Sequence, residues 1–211
     1  MNGNQAEIQA ANARTALFSG LARAFDYPDA MLAEGIRSGT FLSDIREAIR
    51  RCGTEEGLAS LGDAPVSANG ETPEDLLLAL EKDYTRMCFT SKPRLVYLFE
   101  SVYREGKLLQ DSTFRMARLY HAAGLKPVGD FRLPPDHIAM ELEFLAYLHH
   151  QHGQALASAD DEKAAYAREL IAQTLEEHLR PFGAALAGRM DHHAEHPFYR
   201  DMARCLAAVL N

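Results

Sequence analysis

The sequence predicts an all-α protein, and three observations carry that expectation. No stretch alternates apolar and polar residues with a period of two, and no turn dipeptide separates two β-branched runs. Apolar residues instead recur at three- and four-residue steps along most of the chain, with alanine and leucine dominant. At 211 residues the chain can bury a substantial core. We expect a single globular domain of about 8 to 10 helices. Two helical halves, 1–123 and 135–211, would meet at a hinge over 124–134, where Gly, Pro and charge cluster in GLKPVGDFRLP.

Taken in order, residues 6–26 place Leu17, Phe18, Leu21 and Phe25 on one helical face, and Asp26-Tyr27-Pro28 ends it. A short second helix follows through Met31, Leu32 and Ile36, and a third over 40–51 carries Phe41, Ile45 and Ile49. Residues 53–71 are rich in Gly, Ala, Ser and acids, so they read as a surface connection with at most a helical turn and no function. Thr72-Pro73-Glu74-Asp75 is a strong helix start, with a hydroxyl to cap, proline in the first turn and acids near the dipole's positive end. That helix runs to about Phe89, and Lys92-Pro93 breaks the pattern. Asp111-Ser112-Thr113 caps the next helix, which stops at Gly124. After the hinge, a helix from Pro135 to about Gly153 is followed by a long one capped at Ser158-Ala159-Asp160 and interrupted at Pro181. A last helix carries Phe198, Met202, Leu206 and Val209.

Composition narrows function. A net charge of −8 argues against nucleic acid or an anionic membrane as principal partner and favours a cationic one. Neither a signal peptide nor a membrane-spanning apolar run is present, so a cytoplasmic protein without stable membrane insertion is expected. Cys52, Cys88 and Cys205 lack disulfide or zinc spacing and read as small core residues.

The most informative stretch is LPPDHIAMELEFLAYL, 133–148. On a helix, Ile138, Leu142, Phe144, Leu145 and Leu148 form an apolar arc that also takes in His137 and Glu141, one turn apart. Asp136, Met140 and Glu143 would point elsewhere. A polar pair on an apolar face is costly unless satisfied, so it serves either to close the helix start or to bind something. A second anomaly is Glu100, set among Tyr97, Phe99 and Tyr103 beside Ser101: either a capping carboxylate in a buried connector or a functional one.

Enzymatic motifs are missing. Gly57 to Gly62 has the glycine spacing of a phosphate loop, but Asp63 and Ala64 stand where its cation and metal-ligating hydroxyl belong. There is no G-x-S-x-G elbow, no H-E-x-x-H and no paired Glu-x-x-His. His149, His150 and His152, and His192, His193 and His196, form two clusters with no carboxylate or thiolate completing a metal set, and they read as solvated. A metal- or nucleotide-dependent helical enzyme using these histidines is the alternative to a binding module. No cofactor, metal site or catalytic residue is expected.

Two segments, FESVYREGKLLQDST (99–113) and PDHIAMELEFLAYL (135–148), resemble the TorD/DmsD/NarJ family of cytoplasmic redox-enzyme maturation chaperones. LFSGLARAFDYPD near the start, LEEHLRPF (175–182) and HPFYRDMARCLAAVL (196–210) extend the likeness over most of the chain. The resemblance implies an all-helical, non-catalytic protein. Its partner would be an apo-molybdoenzyme subunit, recognised through a twin-arginine signal peptide or N-terminal segment and held until the molybdopterin cofactor is inserted. It places the peptide site on Glu100, Ser101, Tyr103, Asp136 and His137, with Glu141 as helical partner of His137 and Tyr84 among the tyrosines that stand in for tryptophan; Phe144 beside them supplies the apolar surface a signal peptide needs. The family's usual tryptophans are absent here, and Phe99 stands where a proline commonly precedes ESVY. The resemblance also allows a monomer or a domain-swapped dimer pivoting on 124–134. Carboxylates for guanidinium groups beside an apolar groove is what a paired-arginine leader requires.

Overall fold

Capping and proline placement set most helix boundaries where the sequence puts them. The computed structural model describes residues 3–53, 55–62, 70–90, 92–126 and 133–211, and among these it is helical with no strand. Helix α1 (Gly3–Phe25) turns into α2 (Ala30–Arg37), whose first turn is capped by Asp29 accepting from the Leu32 amide at 2.7 Å. Helix α3 (Thr40–Cys52) follows, then a short α4 (Glu55–Ser60). The stretch expected as a surface connection therefore holds a helix that packs on α3, and Leu61 at its end is buried. Residues 63–69 of that stretch lie outside the described residues.

Helix α5 (Pro73–Thr85) starts as expected, with the Thr72 hydroxyl accepting from the Asp75 amide. It widens into one π turn, Arg86–Thr90, that turns Met87 and Cys88 into the core. Short α6 (Glu100–Glu105) leads to α7 (Asp111–Ala122). Of the expected hinge, 127–132 lie outside the described residues. Helix α8 (Ile138–Ala157) begins three residues later than the prolines suggested, because Pro135 and Asp136 form a turn. Helix α9 (Asp161–Gln173) runs through a π turn, Thr174–Leu179, into α10 (Arg180–His193). Pro181 lies in the first turn of α10, where its missing N–H is tolerated after the widened turn. Helix α11 (Pro197–Leu210) closes the chain and packs against α10 and α4.

Helix α1 lies along α8, so the two halves share one core. Leu17, Leu21 and Phe25 from the first half and Leu142, Leu145, Phe182 and Leu206 from the second are all buried in it. Each such side chain contributes roughly 2 kcal/mol of transfer free energy. Gly20 allows α3 to approach α1: an added Cβ would sit 2.3 Å from Ile45 Cδ1. No helix among the described residues is long and apolar enough to cross a membrane.

Candidate functional site

Short helix α6 has no capping side chain of its own, since its N-cap is Phe99. Asp136 supplies the cap from across the chain. Its carbonyl accepts from the Glu100 amide at 2.9 Å, and its carboxylate from the Ser101 amide at 3.0 Å. The Ile138 amide donates to the Leu98 carbonyl at 2.8 Å, so the 98–101 loop and the head of α8 form one hydrogen-bonded unit. His137 caps α8, its Nδ1 accepting from the Ala139 amide at 3.2 Å, and its ring meets Phe99 edge to face at 5.1 Å. Tyr120 closes the turn by donating to the Pro135 carbonyl.

Glu100, Ser101, Asp136 and Glu141 are fully buried, and His137 is nearly so. The Glu100 carboxylate is satisfied on both oxygens: Arg104 Nη1 lies 2.8 Å from one and His178 Nδ1 2.7 Å from the other. Neither partner was expected, although the one-turn spacing of Glu100 and Arg104 is legible in the sequence. His178 comes from the π turn before α10 and ties a third element into the corner.

The expected His137–Glu141 pair does not form. His137 lies outside the helix as its cap, and its Nδ1 serves the Ala139 amide. Both Glu141 oxygens are buried without a hydrogen-bond partner among the described residues, as are Asp136 Oδ1 and Ser101 Oγ. Burial, reinforced by the nearby Glu100 and Asp136 carboxylates, holds the Glu141 carboxyl well above the usual range and so favours its uncharged form. Burial pulls the His137 imidazole down to about 4 against the attraction of Asp26 and Asp136. Asp136, expected to point away from the core, is buried because it belongs to the turn that caps α6.

The remaining expected residues are dispersed around this corner. Tyr103 is half-buried against Phe182, its hydroxyl on the Tyr97 carbonyl. Phe144 is buried between Tyr120 and Tyr147. Tyr84 is a core residue: its hydroxyl donates to the Phe25 carbonyl at 2.9 Å, and its ring supports Tyr27 edge to face. Of the first histidine cluster, His149 and His152 are buried rather than solvated, with His149 stacked on Phe18 of α1 and only His150 exposed. In the second cluster, His196 falls outside α10 and caps α11. Among the described residues no group of three or more His, Cys, Asp or Glu side chains is placed to hold a metal ion.

A concavity lies on the other side of the α8 head. A groove of about 1080 Å³ runs between α1, α2 and α3, and Ala139, Met140 and Glu143 of α8 form part of its lining. Its apolar wall includes Tyr27 and Met31, exposed by 49% and 72%, and half-buried Phe41. Five carboxylates line it: Asp26, Asp29, Asp44, Glu47 and Glu143. The sequence alone does not bring these five together, because they converge from the α1–α2 turn, α3 and α8. Asp26 links the two regions, since its charge acts on His137.

Comparison with known proteins agrees with this architecture. A solved structure, that of a "putative redox enzyme maturation protein" from Archaeoglobus fulgidus, is similar at a TM-score of 0.54 and 24% identity, covering 94% of this chain and 93% of that one. At that identity the likeness concerns the fold. No curated protein matches the chain. The family profile described as nitrate reductase delta subunit matches residues 48–187, which include the whole buried corner. The chain therefore belongs to the nitrate reductase delta subunit family.

Proposed function

We propose that this protein is a maturation chaperone for a molybdopterin-dependent oxidoreductase. It binds the twin-arginine signal peptide or a terminal segment of the apo-subunit and holds it, without turnover, until the cofactor is inserted. Family membership supports the maturation role, and so does the description of the Archaeoglobus structure. The observation that carries the binding reading is structural. Buried polar groups from three chain segments fix the head of α8, and an open groove lies directly beside it.

In this reading Glu100, Ser101, Asp136, His137 and Glu141 act at one remove from the client. They are buried, Glu100 is already paired, and none lines the groove. Phe144 packs behind the same helix, Tyr84 stands behind the groove residue Tyr27, and Tyr103 holds the loop that Asp136 caps. The corner positions the surface that the client meets.

Titration of a synthetic leader, with paired arginines followed by an apolar stretch, against the purified chain tests this. Saturable binding is expected, lost when both arginines become alanine. Asp136→Ala should weaken binding and lower thermal stability together, whereas Asp136→Asn, which keeps an acceptor for the Ser101 amide, should retain both. Binding indifferent to the arginines and to Asp136→Ala would overturn the proposal.

A further inference from the structure

We infer that the groove between α1, α2, α3 and the head of α8 reads guanidinium groups on the client segment, through Asp26, Asp44 and Glu143. This rests on the chaperone reading above and names the surface and chemistry by which it would work.

The three acids are selected by what their neighbours already do. Asp29 is tied to Arg23 at 2.8 Å and caps α2, and Glu47 bridges Arg50 and Arg51 at 2.9 and 2.8 Å. The groove's two arginines, Arg23 and Arg51, are therefore engaged by its own acids. Asp26, Asp44 and Glu143 are exposed, and none makes an ion pair among the described residues. Three uncompensated carboxylates in one concavity attract cations. Planar, weakly hydrated guanidinium suits them best, because it can pair with carboxylates bidentately and still lie against apolar surface.

Size and wall composition indicate a polypeptide. About 1080 Å³ lies at the upper end of small-molecule sites, and the groove is open. Tyr27 and Met31 present aromatic and flexible thioether surface of the kind used to accept varied apolar side chains. Exposing a methionine by 72% beside uncompensated acids adds nothing to this chain's own core. A segment with arginines next to apolar residues satisfies both halves of the groove. A second copy of this chain, at net charge −8, does not offer that complement.

The test uses the full chain and fluorescein-labelled 20-residue peptides that share an apolar stretch and carry Arg-Arg, Lys-Lys or Gln-Gln ahead of it. Anisotropy should show tightest binding for Arg-Arg. The combined variant Asp26→Asn, Asp44→Asn, Glu143→Gln should weaken that peptide tenfold or more and reduce its salt dependence. The same variant should leave Gln-Gln binding unchanged, and Glu162→Gln on α9 should leave all three peptides unchanged. As a measurement independent of those substitutions, a photo-crosslinking residue at Met31 should capture the Arg-Arg peptide, and one at exposed Phe114 should not. Unchanged affinity in the combined variant, no preference for Arg-Arg over Gln-Gln, capture at Phe114 alone, or no binding of any peptide would each overturn the inference. The chaperone reading fails separately, if an apo-oxidoreductase subunit with its terminal segment intact also does not bind.

Discussion

Glu141 and Glu143 stand two residues apart on α8 and live in different chemical worlds. Glu141 is fully buried beside Glu100 and Asp136, has no hydrogen-bond partner among the described residues, and is held toward its uncharged form. Glu143 is exposed and faces the groove with no ion pair. The comparison teaches that helix face, rather than residue type, divides this protein's acids into those sealed in the interior and those that can meet a cation. The corner behind α8 is closed and internally satisfied at Glu100. The groove in front is open and short of positive charge.

Breaking the corner should have the largest effect on folding. Glu100→Ala removes the acceptor shared by Arg104 and His178 and leaves a buried imidazole unpartnered. Thermal denaturation should show a loss of roughly 3 kcal/mol, on the order of 10 °C. An unchanged midpoint would mean the corner is not what holds these segments together.

Acid should act next, through the buried imidazoles. Burial takes His137 down to about 4 and His149 down to about 3, the latter also under the charge of Arg14. Both fall below the unfolded value near 6.5, so the folded state binds fewer protons than the unfolded one. The stability these neutral imidazoles contribute is complete above about pH 6.5 and is lost as pH falls toward the folded values. Urea unfolding at pH 7 and pH 5 should differ by on the order of 2 kcal/mol per imidazole. His149→Asn should flatten that acid limb.

Glu141 has the opposite sign. Its folded value is raised, so it weakens the fold increasingly as pH rises above about 4.5. Glu141→Gln should therefore raise the denaturation midpoint more at pH 8 than at pH 5. Equal shifts at both would show that Glu141 is charged where it stands. The smallest effect belongs to the groove's paired acid: Asp29→Ala removes a helix cap and should cost about 1 kcal/mol.

The helical class and most helix starts were legible because local chemistry decides them. Thr72-Pro73 and Asp160 cap where their spacing places them, and apolar periodicity marks the buried faces. Errors arose where a distant segment decided the outcome. Asp136 looked like a first-turn residue of α8, but the amides it caps belong to α6, 35 positions earlier. His149 and His152 looked solvated, yet α1 packs close over Gly153, where an added Cβ would lie 3.4 Å from Ala11, and covers them. Glu100 is legible as an anomaly among aromatics, while nothing in the spacing separates its partner His178 from the rest of its helix face. The groove acids had no signal at all, since Asp26 of the α1–α2 turn, Asp44 and Glu143 become neighbours only once the fold packs.

The central claim is that the corner stays shut while the groove takes the client. Hydrogen–deuterium exchange of the full chain, with and without the Arg-Arg peptide, tests it most directly. Added protection is predicted over residues 23–48 and the first turn of α8, with 96–105 and 174–182 unchanged. Deprotection of 96–105 and 174–182, with nothing gained over 23–48, would show instead that the corner opens to admit the client, and would contradict the account.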